Sequence, residues 1–328
     1  MASRFKMGAR FARRYPLPIG AGAAVIGYLQ FQRITRKDGH GGGEPFYIPA
    51  YKMLPLSAFS RAWGKVNNLE LPVWSRSVLL GAYCRAFGCK LDEAKNPDLS
   101  SYPNLGTFFR RELREGVRPV DQAKGTLVSP CDGKILVGGR LEGDQDQIDQ
   151  IKGMTFSLSE FLSMKPKKRN LKEGNAMFYL VIYLAPGDYH GFHSPSNFDV
   201  SSRIHFSGLL LSVSPWAARN VSNLFSINER VCYFGKWDSE QFMSLTAVGA
   251  TNVGCVKVPC DPHLHTNAKD KNSWRKKVST LSKVFQRGEY FGEFNLGSTI
   301  VLVFEAPKTF TFIVNEGDSV KMGQCISG

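Results

Sequence analysis

From Pro49 to Ala94 apolar residues recur at steps of three and four. Leu54, Leu56, Phe59, Trp63 and Val66 form one stripe, and Trp74, Val78, Leu79, Tyr83 and Phe87 a second, with Lys and Arg between them. The spacing predicts helices. Such helices either cover a core or form a layer on a membrane, with Trp and Phe inserted and the basic residues meeting phosphates. Residues 96–113 predict one more helix, capped by Asn104 or Thr107, with Phe108 and Phe109 on its buried side.

After Pro119 the pattern changes to short apolar runs punctuated by glycine, among them "TLVSPCDGKILVGGRL", "AMFYLVIYLAP", "SRIHFSGLLLSV" and "FMSLTAVGATNVGCVKV". These predict strands and few helices. The polar, basic stretch 262–286 reads as an exposed loop. "SPCDGKILVGG" and "VNEGDSVKMGQ" each set an Asp-Gly or Gly-Asp turn before a β-branched strand, as in the hairpins of biotinyl and lipoyl carrier domains. The expected fold class is therefore α+β: a β-rich core of duplicated barrel-sandwich hybrid type with an N-terminal helical layer. Lys165, in "SMKPKK", lacks the hairpin-tip setting of a carrier lysine, so a prosthetic-group carrier does not fit.

The 328 residues are 43% hydrophobic, enough for a substantial core. The net charge of +14 is concentrated at one end. Residues 1–37 hold eight Lys or Arg and no acid, which leaves 34 basic against 28 acidic side chains in the remainder. That balance argues against a nucleic-acid partner. Arg4, Lys6, Arg10, Arg13 and Arg14 interleave with Phe5, Met7 and Phe11, the pattern of a mitochondrial presequence; a secretory signal fits less well. The uncharged stretch 16–32 is near the lower limit for a bilayer span. It reads either as a short single-pass anchor or as a presequence running into a linker. Residues 1–45 are thus expected to be presequence, anchor and linker, and 46–328 the catalytic domain.

The seven cysteines form no CxxC pair. "CVKVPCDPHLH" gathers Cys255, Cys260, His263 and His265, but their spacing does not match the usual zinc knuckles. Free, mostly buried thiols are expected, and no metal.

Candidate chemistry centres on three places. His190 and His193 emerge after a strongly apolar strand in "YLAPGDYHGFHSP", where a pair of imidazoles suits proton transfer. Asp132 sits at a turn before a strand and by itself reads as a turn aspartate. Gly297 and Ser298 open the apolar run Ile300 to Phe304. A carboxylate, an imidazole and a hydroxyl are the types needed to activate an oxygen nucleophile. Ser298 Oγ can reach the carbonyl of Gly297 in a strained turn, which a glycine would permit. Attack gives an ester, loss of the Ser298 α-proton breaks the chain, and hydration of the dehydroalanine leaves a pyruvoyl group at a new N-terminus.

"FNLGST", "YLAPGDYHGFH", "SPCDGKI", "IKGMTFSL", "LFSINERV" and "VGATNVG" together resemble the phosphatidylserine decarboxylase family, particularly its mitochondrial type, from about Leu54 to the C-terminus. The resemblance implies that Asp132, His193 and Ser298 form a self-cleavage triad cutting between Gly297 and Ser298. The products would be a beta chain, residues 1–297, and an alpha chain, residues 298–328. Ser298 would become the pyruvoyl cofactor and form a Schiff base with the substrate amine, and His190 would serve decarboxylation as proton donor or by holding the carboxylate. The implied substrate is phosphatidylserine in a bilayer and the product phosphatidylethanolamine. The implied place is the mitochondrial inner membrane, with the domain in the intermembrane space, and the helical layer then gains weight as membrane-facing. A homodimer is left open. Two alternatives remain: a pyruvoyl-dependent decarboxylase of a soluble amino acid, and an uncleaved serine hydrolase or non-enzymatic hybrid-motif binding domain.

Overall fold

Two apolar segments form the centre of the molecule. Asn175–Leu184 and Ser298–Pro307 lie antiparallel with Val181 opposite Val301 and Leu184 opposite Ser298. Almost every residue of both is buried, as expected of strands covered on both faces. Each side chain from Ile300 to Phe304 removed from water contributes about 1.5–3 kcal/mol. The structure is a computed structural model. It describes residues 48–328 except 124, 142–146, 152–153, 164–170, 239, 252–254, 269–275 and 296. The presequence and anchor expected in residues 1–45, and Lys165, lie outside the described residues.

The strands are β1 (Gly133–Arg140), β2 (Gln147–Ile151), β3 (Met154–Ser157), β4 (Asn175–Leu184), β5 (Gly191–His193), β6 (Phe198–Phe206), β7 (Arg230–Trp237), β8 (Gln241–Val248), β9 (Val256–Lys257), β10 (Lys276–Phe285), β11 (Tyr290–Phe294), β12 (Ser298–Pro307) and β13 (Ser319–Val320). Eight form one antiparallel sheet in the order β10-β6-β7-β8-β12-β4-β1-β13; β5-β11-β9 and β2-β3 form two smaller ones. The class is mixed α and β with antiparallel sheets. The two similar segments found in the sequence meet at one edge, where Gly133 pairs with Val320 and Lys134 with Ser319.

The helices α1 (Ile48–Met53), α2 (Leu56–Asn67) and α3 (Val73–Phe87) occupy the stretch where periodicity predicts them. Helix α4 (Leu105–Phe109) is capped by Asn104, whose Oδ1 accepts from the Thr107 amide at 2.8 Å. Phe108 and Phe109 are fully buried in a small cluster with Leu80, Tyr83, Cys84 and Tyr102. Trp74, Val78 and Val73 are exposed on the outer side of α3. Among the described residues no helix is long and apolar enough to cross a membrane.

One expectation is overturned. The basic stretch 262–286 is not wholly a loop, because its second part is the ten-residue strand β10, paired with β6. Val278, Thr280, Leu281 and Val284 favour a strand, and the lysines among them suit a sheet edge, where charge discourages further pairing. The cysteines are free; Cys84, Cys131 and Cys232 are buried, and Cys89, Cys255, Cys260 and Cys325 partly so.

Candidate active site

The site is built where β4 and β11 leave their sheets. After Leu184 the chain turns through residues 185–188. The Asp188 amide donates to the Ala185 carbonyl at 2.9 Å, and Asp188 Oδ2 accepts from the Ala185 amide at 2.8 Å. The helical side clasps this turn. Tyr83 Oη donates to the Pro186 carbonyl and Arg111 Nη2 to the Gly187 carbonyl, each at 2.9 Å. Gly187 is required by close approach, since a Cβ there would strike the carbonyl oxygen of Phe87.

His190 follows the turn. It is completely buried and lies on the Phe109 ring, with centroids 4.0 Å apart. Its Nδ1 is 2.9 Å from the Asp188 carbonyl. A carbonyl only accepts, so Nδ1 carries the proton and Nε2 holds a lone pair. Nε2 has no hydrogen-bond partner. Burial pushes the imidazole pKa down to about 3, so the ring is neutral at pH 7. The His190 carbonyl accepts from the Phe294 amide at 3.0 Å, four residues before Ser298.

His193 ends β5, opposite Tyr290 of β11. Its amide donates to the Pro130 carbonyl at 2.7 Å, which brings it beside the turn that carries Asp132. Its ring lies between the Gly288 carbonyl, 2.9 Å from Nδ1, and the Tyr189 hydroxyl, 3.1 Å from Nε2. Burial lowers this pKa also.

Asp132 is 1% exposed and fully occupied. Oδ1 accepts from Arg118 Nε at 3.0 Å and the Met322 amide at 2.9 Å; Oδ2 accepts from Arg118 Nη2 at 2.6 Å and Lys321 Nζ at 3.0 Å. Burial by itself would raise the pKa. The Arg118 guanidinium, the Met322 amide and the Lys321 ammonium reverse this and hold it below the usual carboxylate range. Glu93 also takes a hydrogen bond from Arg118.

Ser298 begins β12, fully buried, and its Oγ has no hydrogen-bond partner. Leaving a buried hydroxyl unpaired costs about 1–3 kcal/mol. Gly297 is not left-handed, and a Cβ there would meet the Leu184 carbonyl oxygen at an ordinary 3.7 Å. Backbone sterics in this state therefore do not require a glycine.

The fold brings the four residues to one end of the sheet, but Asp132, His193 and Ser298 do not hydrogen-bond to one another. The sequence reading missed the groups that hold them: Tyr189 against His193, and Arg118, Lys321 and Met322 around Asp132. Tyr189 was legible as the middle residue of Asp-Tyr-His. Gly191 leaves room for it, because a Cβ there would strike the Tyr189 ring. A cavity of about 500 Å³ opens beside the site, lined by Tyr189, His193, Arg111, Arg118 and Tyr290 among others.

Comparison with known proteins converges with this arrangement. Residues 105–328 match the family model described as phosphatidylserine decarboxylase. The chain is 39% identical to the mitochondrial phosphatidylserine decarboxylase proenzyme of Cricetulus griseus, over 96% of this chain and 84% of the relative. It is 39% identical to that of Caenorhabditis elegans, over 93% and 80%, and 37% identical to proenzyme 1 of Saccharomyces cerevisiae, over 84% and 72%. Since the matched region runs from α4 to the C-terminus and takes in Asp132, both histidines and Ser298, the chain belongs to the phosphatidylserine decarboxylase family.

Proposed function

We propose that the chain cuts itself between Gly297 and Ser298 and then decarboxylates phosphatidylserine to phosphatidylethanolamine. The observation that carries this is the buried, unpaired hydroxyl of Ser298 at the mouth of β12. A hydroxyl kept in that state is available to attack the Gly297 carbonyl. His193 has its proton on Nδ1 and a neutral ring, so Nε2 can take the Ser298 proton once it leaves Tyr189. Asp132, held ionised, places negative charge near the imidazolium that forms. The ester then loses the Ser298 α-proton, its C–O bond breaks to a dehydroalanine, and water replaces the nitrogen, which leaves as ammonia. The products are residues 1–297 and 298–328.

The surroundings of Ser298 suit a pyruvoyl group: the position is buried, its oxygen is unpartnered, and the apolar strand behind it fixes the new terminus between β4 and β8. That group supplies the electron sink needed when CO2 leaves Cα. His190 presents a further unpartnered buried atom, Nε2, and we assign it to the proton returned to Cα. A ring whose pKa is about 3 donates only after gaining a proton, which an incoming anionic head group would favour.

The substrate stays in a bilayer, and the exposed Trp74, Val78 and Val73 with Met53, which is 85% exposed, offer a membrane-facing layer. The relatives' names support a mitochondrial address, and we place the enzyme on the inner membrane with residues 46–328 in the intermembrane space. The β1–β13 edge is consistent with a duplicated barrel-sandwich hybrid motif. The decisive experiment is an intact mass spectrum of the purified chain with an assay on phosphatidylserine vesicles. A fragment of residues 298–328 with a blocked N-terminus, and ethanolamine lipid produced, are expected; one uncut chain that still makes the product would refute the proposal.

A further inference from the structure

Helix α2 does more than cover a core: Leu56 packs against the main cluster, but part of the apolar stripe stays in the open. Its apolar stripe includes Phe59, half exposed and stacked on Trp63 with ring centroids 6.5 Å apart. Its small and polar face, with Ala58, Arg61, Ala62 and Lys65, lines a cavity of about 720 Å³. In a surface helix of a soluble domain the apolar stripe turns inward. Here the flank that carries Arg61 and Lys65 borders a cavity of a size usual for small-molecule sites, about 300–1,000 Å³.

The walls of this cavity hold Arg61, Lys65, Arg110 and Lys257, and no carboxylate. Arg110 is engaged: it bonds Asn295 Oδ1 and lies 3.4 Å from Glu293. Arg61 Nη1 donates to Asn267 Oδ1 at 2.9 Å. Among the described residues, no ion pair involves Arg61, Lys65 or Lys257. Asn295, also in the lining, is three residues before Ser298.

We infer that this cavity is the subsite for the phosphodiester of a membrane lipid, held by Arg61, Lys65 and Lys257. A helix lying on a bilayer with its aromatic face among the acyl chains sets its basic flank at the depth of the phosphates. In a serine phospholipid only the ester oxygen, Cβ and Cα separate the phosphorus from the amine. A phosphate gripped under α2 therefore aims the amine toward Asn295 and Ser298. Lysine and arginine without carboxylate partners bind such an anion without first breaking an ion pair. The inference rests on the membrane-facing reading of the helical layer proposed above.

The test uses the full, self-cut chain and two soluble probes, glycerophosphoglycerol, which carries the diester without amine or carboxylate, and inorganic phosphate. Wild type is expected to bind the diester at least tenfold more tightly than phosphate. Lys65→Glu with Lys257→Glu is expected to weaken the diester at least tenfold and to raise KM for phosphatidylserine vesicles similarly, with kcat within twofold and the yield of fragment 298–328 unchanged. The milder Lys65→Ala with Lys257→Ala shifts the same way and covers the case in which charge reversal prevents folding. Diester binding within twofold of wild type in both double variants, or phosphate binding as tight as the diester, would overturn the assignment. Vesicle flotation separates the two readings: a chain that binds the diester but does not float supports the subsite and refutes the membrane-facing layer.

Discussion

The phenolic hydroxyl of Tyr189 lies 3.1 Å from Nε2 of His193, while Nδ1 of the same ring lies 2.9 Å from the Gly288 carbonyl. The two contacts fix the tautomer. Gly288 can only accept, so the proton is on Nδ1, and Tyr189 donates to the Nε2 lone pair. The atom that must take a proton from Ser298 is therefore in its basic form and occupied by a neighbour. Self-cleavage requires His193 to exchange Tyr189 for Ser298, and the neutral ring gives Asp132 its work only after that exchange.

Tyr189→Phe removes the competitor and retains the ring that packs beside His193, with centroids 5.8 Å apart. Cleavage should proceed at least as fast as in wild type, followed as the appearance of fragment 298–328 on a denaturing gel. A variant that stays full length would show that the tyrosine takes part in proton transfer.

Ser298→Ala deletes a buried hydroxyl that has no partner. The chain should stay whole, with a mass of 36.5 kDa, and make no product. It should also melt no lower than wild type, because removing an unsatisfied buried polar group relieves a cost of about 1–3 kcal/mol. Thermal unfolding with a mass spectrum of the same sample checks both; a marked fall in Tm would mean that Oγ is paired in solution.

For His190→Ala the division of labour between the histidines predicts full cleavage with kcat reduced by about 10²–10⁴, the usual contribution of a positioned acid or base. Single-turnover decarboxylation on pre-cut enzyme measures this. Loss of cleavage in this variant would instead place His190 in the first reaction.

Both buried histidines make the fold sensitive to mild acid. Their folded pKa values are depressed by burial, His190 to about 3, whereas the unfolded chain takes up protons near about 6.5. Below that value the unfolded state binds more protons, so stability present above about pH 6.5 is lost as the pH falls. For His190 the slope approaches about 1.4 kcal/mol per pH unit, and His193 adds to it in the same direction. Urea unfolding between pH 7.5 and 5 should show this decline, and a double variant, His190→Phe with His193→Phe, should flatten it; an equal slope in the variant would assign the acid sensitivity elsewhere.

Periodicity sufficed for α2, α3 and the Asn104 cap, because a helix repeats its apolar positions every three to four residues whether they face the core or the solvent. It sufficed also for β4 and β12, whose apolar runs are too long to be anything but buried. It failed for β10, where lysines that protect an edge look like the composition of a loop. The residue types of the site were legible in His190, His193, Asp132 and Ser298. Their partners were not, since Arg118, Lys321 and Tyr83 reach the site from other parts of the chain and carry no local pattern that marks the contact.

Asp132 belongs to the long product and Lys321 and Met322 to the short one, so the carboxylate also ties the two chains together after the cut. Strand β12 is held between β4 and β8, and the 321–326 segment laces onto residues 127–129 through the Ser129–Gln324, Gly323–Ser129 and Ile326–Leu127 backbone bonds. The fragment should therefore co-purify with residues 1–297 under native conditions. Asp132→Ala takes an anion away from Arg118, which keeps only Glu93, and from Lys321, and so disturbs the local structure. Its failure to cleave would thus not separate a triad role from a structural one. Asp132→Asn retains the shape and acceptor capacity toward Met322, and Lys321→Ala removes one cation only. If the carboxylate acts on His193, Asp132→Asn should fold and cleave at least tenfold more slowly, while Lys321→Ala should cleave normally and lose its fragment at lower urea than wild type. Equal cleavage rates for the three proteins would confine Asp132 to the clasp.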